Sequence, residues 1–200
     1  MSQYHHGDLR NALIVAAAEI IEQRGCGDFS MIDASRRAGV SSAAPYRHFK
    51  DRDALLEAVC QVAFMALTEA TDTAARALTL GTQEHIVALG KAYIKFVINH
   101  PEFYDLMWGD YGFEATPTDA AELKSSGFYI LVESIQAWCD KANLNGRDPV
   151  ALATQLWATV HGLSGLALNK HLEIFIPQVD VYSLLESSTE TFLAGLLSSR

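Results

Sequence analysis

The sequence predicts an all-α protein, and two observations carry that prediction. Apolar residues recur at spacings of three and four along nearly the whole 200-residue chain, which is the period of an amphipathic helix. Ser, Asp and Pro stand where these periodic runs begin, and Gly stands where several of them end. Residues 172–177 alone have strand character, and they are too few for a sheet. We therefore expect about nine helices.

The composition suits a compact soluble chain. Apolar residues make up 50% of it and charged residues 20%, which argues against a disordered chain or a membrane channel. A formal net charge of −9 excludes a basic nucleic-acid coat protein, although residues 30–52 are locally basic. The three cysteines are widely spaced, which predicts neither a disulfide framework nor a CxxC metal pair. We expect no metal and no cofactor.

The predicted location is the cytoplasm. The N-terminal residues lack the basic leader of a signal peptide. Residues 150–169 are uncharged over a membrane-spanning length, but they include Thr154, His161 and Asn169. A buried bundle helix is therefore the better interpretation, and we expect no membrane partner.

Residues 1–50 are predicted to form an N-terminal three-helix domain. The second helix starts after Ser30, an N-cap residue, and stops at Gly39, because glycine adopts a left-handed turn without a steric penalty. Two short helices joined through a glycine turn after a longer helix match the helix-turn-helix pattern, here about residues 31–50. The second helix of that motif fits the major groove of DNA.

The third helix has the side-chain chemistry of a DNA-reading element. It is predicted to run from Ser42 to near Phe49, because a cap at Ser42 puts Pro45 in the first turn, where its missing N–H costs little. Small residues at its start allow a close approach, and its Tyr, Arg and His side chains can donate to phosphates or a guanine edge. On spacing alone, a helical hairpin with a mildly basic rim remains the alternative.

Residues 51–200 are predicted to form a larger helical bundle. Asp51 opens a long helix, Pro101 starts a short one, and Asp148 caps another. Residues 109–117 are a predicted loop. The apolar stripes of the bundle contain Leu55, Val59 and Leu67; Ile86, Leu89 and Tyr93; Phe128, Ile135 and Trp138; Leu152, Leu156 and Val160; and Leu184, Leu185 and Leu196.

Residues 4–60 resemble the DNA-binding domain of TetR-family transcriptional regulators. The matching pieces are YHHGDLR at 4–10, SMID at 30–33, RAGVS at 37–41, YRHF at 46–49 and RDALL at 52–56. Farther on, LWATVHGL at 156–163 resembles the Trp…His-Gly signature of one C-terminal subgroup of that family. The resemblance implies an N-terminal helix-turn-helix domain and a C-terminal bundle that binds a ligand and dimerises.

Carried over position by position, the resemblance implies which residues meet DNA. Ser30 and Met31 would lie against phosphate at the start of the second helix, and Arg52 would do so at the start of the long one. Many relatives carry a longer polar residue at Ala43 or Ala44, so base reading here rests on few side chains. The full predicted set is Ser30, Met31, Ser41, Ser42, Ala43, Tyr46, Arg47, His48, Lys50 and Arg52.

The resemblance also implies a cavity among the middle helices and a paired assembly. Ordinary core packing is the alternative for each cavity residue, and for His161 the alternative is a hydrogen-bonded core histidine. One helix-turn-helix reads a half-site, so we expect a homodimer on a palindromic operator in double-stranded DNA, joined through helices at about 149–169 and 181–197. The predicted cavity residues are Tyr104, Met107, Trp108, Phe128, Trp138, Trp157 and His161.

Together these features predict a DNA-binding transcriptional regulator, a repressor released from its operator by a small apolar or amphipathic effector. The alternative is a cytosolic all-α carrier or sensor of lipophilic ligands that does not bind DNA. An enzyme is not expected, because the sequence has no P-loop, GxGxxG, HExxH or GxSxG motif.

Overall fold

The computed structural model describes residues 6–109, 126–144 and 146–198, and in these ranges the chain forms nine α-helices, one 3₁₀ helix and no strand. The all-α prediction is confirmed. The elements are α1 (His6–Arg24), α2 (Met31–Arg37), the 3₁₀ helix (Pro45–Arg47), α3 (Arg52–Ala75), α4 (Gln83–Asn99), α5 (Pro101–Trp108), α6 (Gly127–Lys141), α7 (Pro149–Leu168), α8 (His171–Phe175) and α9 (Val181–Ser198).

The described residues divide into two compact units. The first comprises residues 6–64 and 100–109, and the second comprises residues 65–99 and 126–198 except 145. Units defined by packing need not coincide with functional domains. The boundary between residues 50 and 51 therefore stays a prediction.

In the first unit, α1, α2 and the start of α3 enclose an apolar core. Leu13, Ile21 and Leu55 are fully buried in it. The N-cap of α2 is the predicted one, because Ser30 Oγ accepts a hydrogen bond from the Asp33 backbone N–H at 3.2 Å. Gly39 follows α2 with a φ of +70°, as expected for a glycine that ends a helix.

The third predicted helix is present only as a short 3₁₀ helix, and the α-helix expected there is wrong. No α-helix runs from Ser42 to Phe49; the segment is a series of turns around the 3₁₀ helix, whose N-cap is Ala44. Most of its backbone bonds join residues three apart, from Ala44 N–H to Ser41 C=O at 3.0 Å and from Arg47 N–H to Ala44 C=O at 3.2 Å, whereas Phe49 N–H reaches back four residues to Pro45 C=O at 2.9 Å. Pro45 is the first residue of the 3₁₀ helix, a position where its missing N–H costs little.

The second unit has its core between α4, α6, α7 and α9. Ile86, Ile135, Ala153 and Leu193 are buried there and belong to one apolar cluster. Gly81, with a φ of +69°, lies where a Cβ atom would come within 2.6 Å of the Ala137 backbone. Only glycine fits that position, and it allows the α3–α4 connection to lie directly on α6.

The structure bears on the short segment with strand character and on the search for membrane spans. Residues 172–177 do not form a strand, because Lys170 adopts a left-handed conformation with φ 56° and the chain then makes the single turn of α8. The loop at 109–117 lies outside the described residues beyond Gly109.

The helix α3 is long and apolar enough to pass the test for a membrane span. Core helices of soluble proteins pass the same test, and α3 buries Leu55 and Val59.

Candidate DNA-binding surface and aromatic cluster

The reading segment, defined as residues 41–49, is anchored by three buried residues, Ala44, Pro45 and Phe49, and exposes most of the others. Pro45 and Phe49 are buried, whereas Tyr46 is 57% exposed and Arg47 is exposed. The 3₁₀ helix therefore turns two neighbouring polar side chains to the surface. Ser41, Ser42 and Ala43 are also exposed, and because they are small another molecule can approach the backbone closely there.

The exposed polar side chains of the reading segment are uncommitted. Within the described part of the chain, the Tyr46 hydroxyl, the Arg47 guanidinium and the His48 imidazole make no hydrogen bond or ion pair. Lys50 lies next to the segment, with its side chain 81% exposed and its Nζ 3.9 Å from an Asp51 carboxylate oxygen. The Tyr46, Arg47 and His48 groups can meet an outside acceptor without first breaking an internal contact.

The start of α2 offers backbone rather than side-chain donors. Ser30 Oγ already caps the helix and also donates to Asp33 Oδ2 at 2.5 Å. The Met31 side chain is buried. Of the predicted phosphate contacts at Ser30 and Met31, only those through backbone N–H groups are compatible with this geometry.

Arg52 is engaged inside the first unit. Its Nε donates to the Phe29 carbonyl oxygen at 3.1 Å, and a terminal nitrogen donates to the Cys26 carbonyl oxygen at 2.5 Å. The guanidinium carbon also lies 5.8 Å from the Phe29 ring centroid. Arg52 thus holds the loop that leads into the Ser30 cap, an interaction that the sequence did not indicate.

Arg10 is a second supporting arginine that the residue-by-residue prediction missed. Its guanidinium carbon lies 5.2 Å from the centroid of the Phe49 ring, at the end of the reading segment. Arg37 pairs with Glu19 at 3.2 Å and donates to Gln23 at 2.7 Å. The Arg10, Arg37 and Arg52 side chains therefore make contacts inside the protein, whereas the Arg47 side chain is uncommitted.

The second unit brings four side chains of α4, α6 and α7 into an aromatic cluster, defined as Tyr93, Phe128, Trp157 and His161. The Tyr93 hydroxyl and His161 Nδ1 are 2.9 Å apart. The Trp157 ring lies 5.6 Å from the His161 ring and 6.1 Å from the Phe128 ring. Phe128, Trp157 and His161 are three of the predicted cavity residues, and Tyr93 belongs to a predicted core stripe.

His161 is uncharged at neutral pH in this setting. Burial lowers its pKa from the ordinary value of 6.5, because the apolar surroundings disfavour the imidazolium. A neutral imidazole has one nitrogen that accepts and one that donates, and the Tyr93 hydroxyl can serve either role at Nδ1. The cluster therefore combines apolar ring faces with one polar, uncharged pair.

The other four predicted cavity residues are divided between the two units. Trp138 packs against the apolar core of the second unit. Tyr104, Met107 and Trp108 belong to α5 in the first unit, where Met107 is buried and the Trp108 ring meets the Phe64 ring edge-on at 5.2 Å. Burial, and less so the Asp105 carboxylate, raises the pKa of Tyr104.

Comparison with known families decides the identity of the fold. Residues 13–59 match the family described as bacterial regulatory proteins, tetR family, and residues 86–192 match the tetracyclin repressor-like, C-terminal domain. The chain belongs to the TetR family. It is thus a transcriptional regulator with an N-terminal DNA-binding helix-turn-helix and a C-terminal ligand-binding domain.

Several relatives align over almost the full TetR-family chain. The uncharacterized HTH-type transcriptional regulator YobS of Bacillus subtilis is 26% identical, over 96% of this chain and 94% of its own. A protein of unknown function from Rhodococcus sp. RHA1 has a TM-score of 0.80 at 29% identity, covering 98% of this chain and 100% of its own. The TetR-family regulator PfmR of Thermus thermophilus shares the fold, with a TM-score of 0.59 at 15% identity, covering 91% and 97%. A regulator is therefore favoured over the carrier that does not bind DNA.

Proposed function

We propose that this TetR-family protein is a cytoplasmic repressor that binds a palindromic operator as a homodimer and is released by a small apolar or amphipathic effector. The observation that carries the proposal is the uncommitted, outward-facing pair of Tyr46 and Arg47 on the reading segment. We assign the protein no catalytic role.

On DNA, the reading segment enters the major groove. Ser41, Ser42 and Ala43 approach the phosphates and base edges closely because they are small, and Tyr46, Arg47 and His48 donate hydrogen bonds. Backbone N–H groups at Ser30 and Met31 meet a phosphate, and Lys50 meets another. Arg52 acts indirectly, by holding the loop before Ser30.

The aromatic cluster is the proposed effector contact in the second unit. A planar apolar molecule packs against Phe128 and Trp157, and the Tyr93–His161 pair exchanges a hydrogen bond with its polar group. For Tyr104, Met107, Trp108 and Trp138 we retain effector contact only as the prediction from the sequence.

A continuous contact supports a route from the cluster to α3. Phe128 follows Gly127, the first residue of α6, whose backbone N–H donates to Thr68 Oγ1 on α3 at 3.0 Å. A Cβ at position 127 would crowd Thr71 Oγ1 at 3.3 Å, so α6 begins in close contact with α3. We propose that an effector displaces α3 and α5 and so changes the spacing of the two reading segments. A coupling of about 1–3 kcal/mol is typical of such responses.

The proposed dimer joins α7 and α9 of the two copies. Gly162 on α7 supports this, because a Cβ there would meet, among the described residues, no atom within 4 Å apart from its chain neighbours and the backbone of its own helix. We expect Gly162→Leu to raise the dimer dissociation constant about 10-fold or more in sedimentation equilibrium while leaving the helical circular dichroism unchanged. Glu133→Leu, on the exposed side of α6, is the control and should leave the constant unchanged.

The test of function starts from fragmented genomic DNA. We expect the wild-type protein to select fragments with a repeated, symmetric half-site, and a promoter carrying such a site to be transcribed less in vitro when the protein is added. Tyr46→Ala should abolish both effects. Selection of sequences without symmetry, or higher transcription, would contradict the proposal.

A further inference from the structure

Arg10 on α1 touches the reading segment through its charge and keeps its hydrogen-bond donors. The guanidinium carbon lies over the Phe49 ring, 5.2 Å from its centroid. Phe49 is buried, with 4% of its surface exposed, whereas Arg10 is exposed. A cation–π contact is an attraction between the positive charge and the ring, and it leaves the N–H groups able to bond an oxygen. The contact with Phe49 therefore holds the guanidinium without satisfying its donors.

The Arg10 donors have no acceptor within the described part of the chain. The guanidinium makes no hydrogen bond and no ion pair there. Two other arginines of the first unit are satisfied, because Arg37 pairs with Glu19 at 3.2 Å and Arg52 donates to the Phe29 carbonyl oxygen at 3.1 Å. A guanidinium has five donors in a fixed plane, which suits an oxyanion such as a phosphate. In its donors Arg10 thus resembles Arg47, although its position is held by a ring.

The contact with Phe49 places Arg10 beside residues that already belong to the proposed DNA surface. His48 and Lys50 flank Phe49 in the chain, and consecutive Cα atoms are only about 3.8 Å apart. The Lys50 side chain is 81% exposed. Arg10 comes from a different helix, so it extends the positive charge of this surface from the reading segment onto α1.

We propose that Arg10 binds a DNA phosphate through its free N–H groups while its contact with Phe49 keeps the guanidinium in place. This inference rests on the proposed DNA-binding surface. A side chain that is already held loses less freedom on binding than one that is free, so the contact with Phe49 favours the bound geometry. A phosphate contact fixes the protein on the duplex and carries no sequence information. Arg10 therefore positions α1 on the DNA backbone, and Arg47 remains the candidate for reading bases.

The first test compares Arg10→Gln with the wild type in titrations of DNA binding against salt concentration. Each lost phosphate contact lowers the logarithmic salt slope by about 0.9, which is about 2 for the proposed dimer. We expect that decrease, together with a loss of affinity of about 10-fold or more that is equal for operator and for unrelated DNA. Arg24→Gln is the matched control, because Arg24 is an exposed arginine in the last turn of α1, roughly 21 Å along the helix from Arg10. It should leave the slope and the affinity unchanged.

The second test separates a phosphate contact from packing against Phe49. Arg10→Lys keeps the charge, so it should keep the wild-type salt slope with a loss of affinity of about 3-fold. Arg10→Met keeps an apolar stem over the ring without the charge, so it should lose the slope as Arg10→Gln does. Both variants should melt within about 4 °C of the wild type, because the contact they alter lies at the surface. Wild-type binding by Arg10→Met would show that Arg10 only packs, and this overturns the proposal.

Two further outcomes separate this inference from the surface on which it rests. An Arg10→Gln variant that keeps the wild-type salt slope, while Arg47→Ala loses operator binding, overturns the role of Arg10 alone. Full operator binding by Arg47→Ala overturns the proposed surface and this inference with it. A larger loss on operator than on unrelated DNA for Arg10→Gln would mean that Arg10 reads a base, which also contradicts a phosphate contact.

Discussion

The reading segment and the aromatic cluster both combine aromatic and polar side chains, but they satisfy their polar groups differently. The Tyr46 hydroxyl and the Arg47 guanidinium make no hydrogen bond to the described protein, whereas Tyr93 and His161 already bond to each other. The exposed side chains of the first surface are ready for an outside partner and contribute little to stability. The second stabilises the protein and gains a ligand only by rearranging an existing hydrogen bond.

The largest expected effect is a loss of operator binding without a loss of stability, in a variant of the reading segment. We expect Arg47→Ala to weaken binding to the selected operator by about 100-fold or more, since each base or phosphate contact is worth about 1–3 kcal/mol and a dimer loses two. Stability should not change, because the side chain makes no internal contact. Fluorescence anisotropy measures the binding, and thermal unfolding measures the stability.

Arg76→Ala is the control for that change, because it removes the same charge from an exposed ion pair with Asp72 at the end of α3. It should bind the operator like the wild type. Full binding by Arg47→Ala would show that the assigned surface is wrong.

A second comparison sets two arginines of the first unit against each other. Each phosphate contact steepens the salt dependence of binding by about 0.9 in the logarithmic slope. Arg47→Gln should reduce the slope for the dimer by about 2 if Arg47 meets a phosphate. Arg52→Gln should keep the slope, weaken binding about 10-fold and lower the melting temperature, because the Cys26 and Phe29 carbonyls lose their donor.

Titrations of binding against salt concentration for both variants decide this comparison. A reduced slope for Arg52→Gln would place that side chain on DNA, as the family resemblance alone suggests.

The aromatic cluster should respond in the opposite way. Tyr93→Phe removes the hydroxyl that pairs with His161, and we expect the free energy of unfolding to fall by about 1 kcal/mol in urea titrations. Operator binding without effector should be unchanged. Tyr182→Phe, a partly exposed tyrosine on α9, controls for the loss of a hydroxyl. A stable Tyr93→Phe variant with weak operator binding would remove the distinction between the two surfaces.

The smallest effect is a dependence of stability on pH. Burial is the main cause of the lowered pKa of His161 and of His85, whose Nδ1 lies 2.9 Å from Ser134 Oγ. In the unfolded chain both histidines bind a proton near pH 6.5, whereas in the folded chain they stay neutral at that pH. The free energy of unfolding should therefore fall as the pH drops below about 6.5 and stay level between about pH 6.5 and 7.5.

Urea unfolding at pH 7.5 and pH 5.5 measures this change, and His161→Gln should make it smaller. An unfolding free energy that rises on acidification would show that the histidines gain partners in the charged form.

Local signals in the sequence account for much of the fold. Ser30, Gly39 and Asp51 mark helix ends by capping chemistry that needs only neighbouring residues, and the structure has helix ends at these positions. The 3₁₀ geometry after Ala44 was missed, because the choice between bonds to residues three and four back depends on how Pro45 and Phe49 are buried.

Contacts between residues far apart in the chain could not be predicted from the sequence. Tyr93 and His161 stand 68 residues apart, and a tyrosine on an apolar stripe gives no sign that it will meet a histidine. Arg52 fits a phosphate contact equally well until the Cys26 and Phe29 carbonyls are seen beside it. Helix periodicity predicts which face is buried, but not which side chain it meets.

The most direct test of the central claim is a hydroxyl-radical footprint of the wild-type dimer on a fragment selected from genomic DNA. We expect two protected half-sites, related by two-fold symmetry and centred roughly 34–36 Å or a multiple apart, and no protection with Arg47→Ala. A single protected patch without symmetry, or a footprint that survives the loss of Arg47, would contradict it.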